Sequence, residues 1–263
     1  MKNPVKPQWI PYVTLCAGIL GAALQVLFFA TAVDAKGLLV SNHFADILCW
    51  IIAAVMLLFL ALGIRRLGGI PKYEKLFPAS LPGAIGSWIG AVGIAIASIR
   101  IFLAHTEIIS IGTGVLGFAS ALCLVALGYW RWKGQKPPVL IRLPLILFSM
   151  LHLICQYRGW SNATQLQEYA FPLFASVFLL LSNYQRTALE TKLGGRRNYV
   201  FCTQSAAFFS FLAAAQDPLF YLPVAVWMYL DICSLRLMQR KVKPAAEQIS
   251  EPAPTEENTP EGE

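Results

Sequence analysis

Charged side chains are scarce in this chain: Asp, Glu, Lys and Arg make up 13% of its 263 residues, about half the ~25% share of an ordinary soluble domain. Hydrophobic residues make up 57%, more apolar surface than a soluble fold of this size can cover. Clustered metal-ligand or disulfide spacing is missing as well. The six cysteines, Cys16, Cys49, Cys123, Cys155, Cys202 and Cys233, form no CxxC pair and all fall within apolar runs, so they read as small buried hydrophobes. There is no HExxH, no GxSxG, no Walker loop and no DxD-like acid pair. No metal site or cofactor is expected, and the familiar soluble hydrolase and nucleotide chemistries lack their residues. The net charge of +7 does not point to nucleic acid, because the basic residues stand between apolar runs and do not gather on one soluble face.

What is present is a series of apolar stretches of roughly 20 residues, each long enough to cross a hydrocarbon layer of about 30 Å. Backbone groups inside lipid must be satisfied within their own segment, and runs without strict alternation exclude a barrel. The fold class expected is therefore all-α, a polytopic transmembrane helix bundle. Eight spans are predicted: about Tyr12 to Val33, Ala45 to Ile64, Leu81 to Leu103, a fourth reaching Trp130, Val139 to Tyr157, Tyr169 to Gln185, Tyr199 to Ala215 and Leu219 to Leu237. Ala30-Thr31-Ala32 resembles a cleavage site, but the apolar core before it is longer than a secretory signal requires, so it is kept as a span. With eight spans, 18 Lys and Arg fall on the side of the two termini, and only Lys36, Arg100 and Arg158 on the other. By the positive-inside rule both termini are cytoplasmic, in a multi-pass cell-membrane protein.

Residues 1–243 form the transmembrane helical domain. Residues 244–263, with six Glu and no Lys or Arg, read as a disordered acidic cytoplasmic tail. The tail offers a surface for a basic protein partner, although a solvated tail is the more ordinary role. The lipid bilayer is the expected partner of everything before it.

Two small-residue faces predict close helix packing. Thr14, Gly18, Gly21, Ala22 and Gln25 share one side of the first span, and Gly83, Gly86, Gly90 and Gly93 lie within about an 80° arc of the third. Arg100 and Arg142 are expected to snorkel to headgroups.

Asp231 is the only acidic residue well inside an apolar run, where a charge costs roughly 2.5 to 3.5 kcal/mol on insertion scales. It needs a partner or a proton. Gln204 lies at similar depth on the tightly connected preceding span, and a hydrogen bond between them is expected. Asn183 and Arg186 should approach the same level and complete an inner polar cluster suited to proton or cation coupling, or else to a satisfied interhelical clamp. A second group, Ser149, His152 and Gln156, falls on one helical face pointing at a loop with Arg158 and Trp160, and reads as an outward-facing polar stripe. Arg158 and Glu168 bracket that loop and are placed to pair. Asn162-Ala163-Thr164 matches a glycosylation sequon on the same side.

The run ICQYRGWSNATQLQEYAF, followed by SNYQRTALETKLGGRR, resembles a group of uncharacterised bacterial multi-pass membrane proteins that share a CQYR-W-S and Y-x-R-x-A pattern. The resemblance covers about Leu151 to Arg197. It implies a bacterial cell membrane, and it transfers no activity, ligand or functional residue.

Three function classes remain open on these residues: a small transporter or permease component; a membrane scaffold or regulatory subunit, suggested by the glycine faces and the tail; and an intramembrane sensor or enzyme using His152 or Asp231.

Overall fold

The computed structural model describes residues 9–32, 43–65, 67, 76–104, 108–160 and 169–235. Among these residues the fold is all-α, with eight helices: α1 (Trp9–Thr31), α2 (Phe44–Arg65), α3 (Leu81–Ala104), α4 (Ile108–Lys133), α5 (Leu143–Trp160), α6 (Ala170–Glu190), α7 (Arg196–Ala213) and α8 (Pro218–Cys233). A 3₁₀ turn, Val139–Arg142, leads into α5. The expected span for this region began at Val139. That span is borne out, since the turn and α5 together give an apolar stretch long enough to cross a membrane, Val139–Gly159. The α-helical part begins at Leu143, with Pro144 in its first turn, where a missing N–H leaves no intrahelical bond unmade.

Five helices, α1 to α5, are long and apolar enough to cross a membrane, and α8 is apolar but shorter, at 16 residues. α6 and α7 match expected spans as helices, yet polar side chains on their inward faces dilute their apolar character. The arrangement explains why those residues are tolerated. α7 is buried along nearly its whole length, from Tyr199 through Ala213, with Phe201 alone partly covered. The perimeter instead belongs to apolar residues such as Ile19, Val55, Leu58, Val92 and Leu122, which are exposed. In a helix surrounded by lipid the outer face is the apolar one, and polar groups must turn inward to find partners.

Successive helices alternate in direction. Gly63 near the end of α2 packs beside Ile10 at the start of α1, and Phe28 near the end of α1 meets His43, just before α2. Helix ends elsewhere meet in the same sense. One end of the bundle collects Arg131, Arg142, Arg186, Arg196 and Asp231, and is called the basic end below; the opposite end holds Arg100, Gln156, Asp217 and Tyr221.

The small-residue faces pack as expected, and within the chain. Gly86, Gly90 and Gly93 of α3 lie against Leu230, Trp227 and Pro223 of α8; a methyl group at Gly93 would stand 2.5 Å from Pro223 Cβ. Gly18 and Gly21 of α1 receive Phe211 and Leu212 of α7. The expected inward face of α1 is confirmed at Thr14, Gly18, Gly21 and Gln25, with Ala22 partly exposed. In α4 the run Gly112 to Gly117 spells a GxGxxG, a pattern that the expected lack of nucleotide-binding motifs passed over. It sits inside a continuous helix, where Gly114 faces Phe102 and Gly117 faces Phe148, so it is a packing surface and not a phosphate loop. α4 ends at Gly134, whose φ of 67° suits a residue without Cβ, while the N–H of Gln135 returns to the Trp130 carbonyl at 3.0 Å.

The reading of the cysteines holds in part. Cys49 and Cys202 are buried and Cys123 and Cys155 half-buried, but Cys16 and Cys233 face outward. Thiols are apolar enough to be stable on a lipid-facing surface.

Candidate functional site

Asp231, in the last turn of α8, is 1% exposed. Its carboxylate accepts hydrogen bonds at Oδ2 from Arg186 Nη1 of α6 and from the Tyr199 hydroxyl of α7. On the other oxygen, Arg131 Nε of α4 stands 4.0 Å from Oδ1. Arg131 also donates to Ser234 Oγ at 2.6 Å and to the Pro78 carbonyl at 3.1 Å. Ser234 Oγ in turn donates to the Asp231 carbonyl at 2.6 Å. The ring of Phe77 lies 4.9 Å from the guanidinium carbon of both Arg131 and Arg186, within cation–π reach. Four helices and the segment before α3 are thus tied at one carboxylate. Gly83 makes room for the cluster: a methyl group there would come 2.8 Å from Ser234 Oγ and 3.0 Å from Arg131 Nε.

A second buried ion pair lies at the same end. Arg142 Nε donates to Glu190 Oε1 and Oε2 at 2.8 and 2.7 Å, with Nη2 2.7 Å from Oε1. Arg142 is 2% exposed, so the expectation that it snorkels to headgroups is wrong. It lies instead at the end of α6, where Glu190 supplies the opposite charge. Arg100 likewise has a protein partner, Asp217 at 2.6 Å, at the exposed surface of the opposite end.

Of the expected inner cluster, the structure brings Arg186 to Asp231 and leaves the other two apart. Gln204 is fully buried, but neither its amide nitrogen nor its oxygen has a hydrogen-bond partner among the described residues. The expected Asp231–Gln204 bond is absent because the residue of α7 that faces Asp231 is Tyr199; five residues further on, Gln204 points about 140° away. Asn183 Nδ2 donates to its own helix at the Leu179 carbonyl, 3.0 Å. Thr203, one turn from Tyr199, pairs with Ser182 of α6 at 2.6 Å.

The expected outward stripe is built differently from an open vestibule. Ser149 is buried and donates to the Leu145 carbonyl at 2.8 Å. His152, 8% exposed, lies between Phe148, with stacked rings 5.4 Å apart, and Phe220, 4.6 Å away. Gln156 Nε2 donates to the Tyr221 hydroxyl at 2.8 Å, and Ser176 Oγ donates to Gln156 Oε1 at 2.9 Å. Arg158 is exposed. Ser176 and Tyr221 were not legible as members, since a hydroxyl in an apolar run is ordinary until its neighbour is known. The sequon, Glu168 and the acidic tail all lie outside the described residues.

These contacts share a register. α6 meets α8 at Ser176–Tyr221 (3.3 Å), at Ser182–Met228 (3.6 Å) and at Arg186–Asp231, offsets of 45, 46 and 45 residues. The two helices therefore run parallel and level, joined by side chains, while α7 packs on both backbones between them. The result is a polar seam, ionic at the basic end and uncharged at the other.

Fold and site together define a class, an all-α bundle whose several apolar helices fit an integral membrane protein, with a buried ionic cluster inside one end. No family model, no curated protein and no solved structure matches the chain.

Proposed function

We propose that this is a multi-pass protein of the bacterial cell membrane, crossing it eight times with both termini in the cytoplasm, and that it acts as a small transporter or permease component. The sidedness follows from the basic residues, which favour the cytoplasmic face; the bacterial setting follows from the resemblance over residues 151–197. The observation that carries the transporter reading is the Asp231 cluster at the basic end of α4, α6, α7 and α8. Replacing a buried ion pair by apolar side chains of similar volume is often neutral or stabilising by about 1–4 kcal/mol, so stability alone is a weak reason to keep one. An ionic contact can exchange its partners for water when helix ends part, which an apolar contact cannot do. That property suits a closure facing the cytoplasm. Of the two supports of the scaffold reading, the glycine faces are occupied by α7 and α8 of the same chain, which leaves it the acidic tail alone.

Ser182, about one turn deeper than Arg186, reports on the closure. In a full-length chain cleared of native cysteines, Ser182→Cys should resist a membrane-impermeant thiol reagent from the cytoplasmic side. Adding Asp231→Asn should raise its labelling at least several-fold, and the milder Tyr199→Phe should raise it less. Unchanged labelling in both variants would make the cluster a static clamp and end the transporter reading.

A further inference from the structure

Both ring nitrogens of His152 are buried and neither has a hydrogen-bond partner among the described residues. A neutral imidazole carries one donor and one acceptor, and a buried polar group left unmet is destabilising. Phe148 stacks on the ring and Phe220 meets it at a tilt; the ring nitrogens bond in the ring plane, so what satisfies them must approach along the edge and must both donate and accept. Next along α5, Gln156 joins Tyr221 and Ser176 in a set of uncharged groups, and Tyr221 adjoins Phe220 with ring centroids 4.9 Å apart.

Charge selects the ligand further. The carboxylate nearest this level is Asp217, at the rim and engaged by Arg100 at 2.6 Å. The groups in contact with His152, Gln156, Ser176 and Tyr221 from α5, α6 and α8 are aromatic, amide or hydroxyl. Asp217 acts electrostatically on His152 and Tyr221, but its charge is answered by Arg100, so an ion placed there would lose its hydration without a free counter-charge. From this geometry we infer that α5, α6 and α8 enclose a binding site for a small uncharged solute bearing hydroxyl or amide groups, with His152 as its central hydrogen-bonding residue and Gln156, Ser176 and Tyr221 beside it. The inference rests on the transporter reading for its purpose, since the site lies on the α6–α8 seam above the ionic closure, but its test does not depend on that reading.

The test uses the full-length protein in lipid, with His43→Gln and His105→Gln so that His152 is the single histidine, labelled with ¹⁵N in the imidazole. Glycerol serves as the hydroxyl probe and acetamide as the amide probe, with chloride and ammonium salts as charged controls. The expected result is a saturable shift of the His152 nitrogen resonances with at least one uncharged probe, weakened several-fold by Tyr221→Phe, and no saturable shift with the salts. Resonances that move with neither uncharged probe and report hydrogen bonding to water alone would reduce the site to a hydration site and overturn the inference. A shift that grows linearly and is unchanged in Tyr221→Phe would do the same, as a solvent effect. Because Ser182→Cys labelling reads the closure and the nitrogen shifts read the site, either idea can fail while the other stands.

Discussion

The two ends of the α6–α8 seam solve the same problem by different means. At the basic end a carboxylate is shared by two guanidiniums and a phenol, all buried. At the opposite end an amide and two hydroxyls satisfy one another, beside a histidine whose nitrogens meet no described residue. The ionic end answers its charges from within, and removing its carboxylate strands two guanidiniums. The uncharged end has hydrogen-bonding capacity to spare and loses little when one group goes. Rigidity belongs to the first and adaptability to the second, as a closure and a solute site would require.

The largest expected effect tests the ionic end. Asp231→Ala leaves Arg186 and Arg131 without their shared carboxylate and should cost about 3–5 kcal/mol, seen as a large drop in midpoint for unfolding of the micelle-solubilised protein. Adding Arg186→Met should restore part of the loss, since it removes a stranded charge. A smaller effect is expected from Tyr221→Phe, which deletes one hydroxyl from a neutral network; hydrogen bonds between membrane helices average about 0.6 kcal/mol. Were the two single variants equally destabilising, the contrast between the ends would collapse. The smallest effect belongs to Arg100→Ala. Its pair with Asp217 is half exposed and should contribute about 0–1 kcal/mol, a difference that vanishes when unfolding is repeated at high salt.

Much of the fold was legible because membranes impose simple rules. Apolar length marked all eight helices to within a few residues, and glycine spacing marked the faces of α1 and α3. Asp231 and Arg186 were legible as site members because a charge in an apolar run must be answered. Tyr199 was not, since a tyrosine at a span boundary reads equally well as an interfacial anchor. Arg131 and Arg142 were hidden for a related reason: both were counted as boundary charges, whose side chains can reach either headgroups or a neighbouring helix. Gln204 misled because equal depth is not equal azimuth; on a helix, five residues turn a side chain well past its partner.

From the sequence alone come the all-α class, the helix limits, the bias of basic residues toward one end and the need for Asp231 to find a partner. These are consequences of local composition and of one-dimensional spacing, which lipid reads directly. Which residue answers Asp231, that Arg142 turns to Glu190, that α6 and α8 run in register, and that His152 is walled by Phe148 and Phe220 were decided by tertiary packing. Each depends on how a helix is rotated about its axis against neighbours far away in the chain, and that rotation is set only when all eight helices pack together.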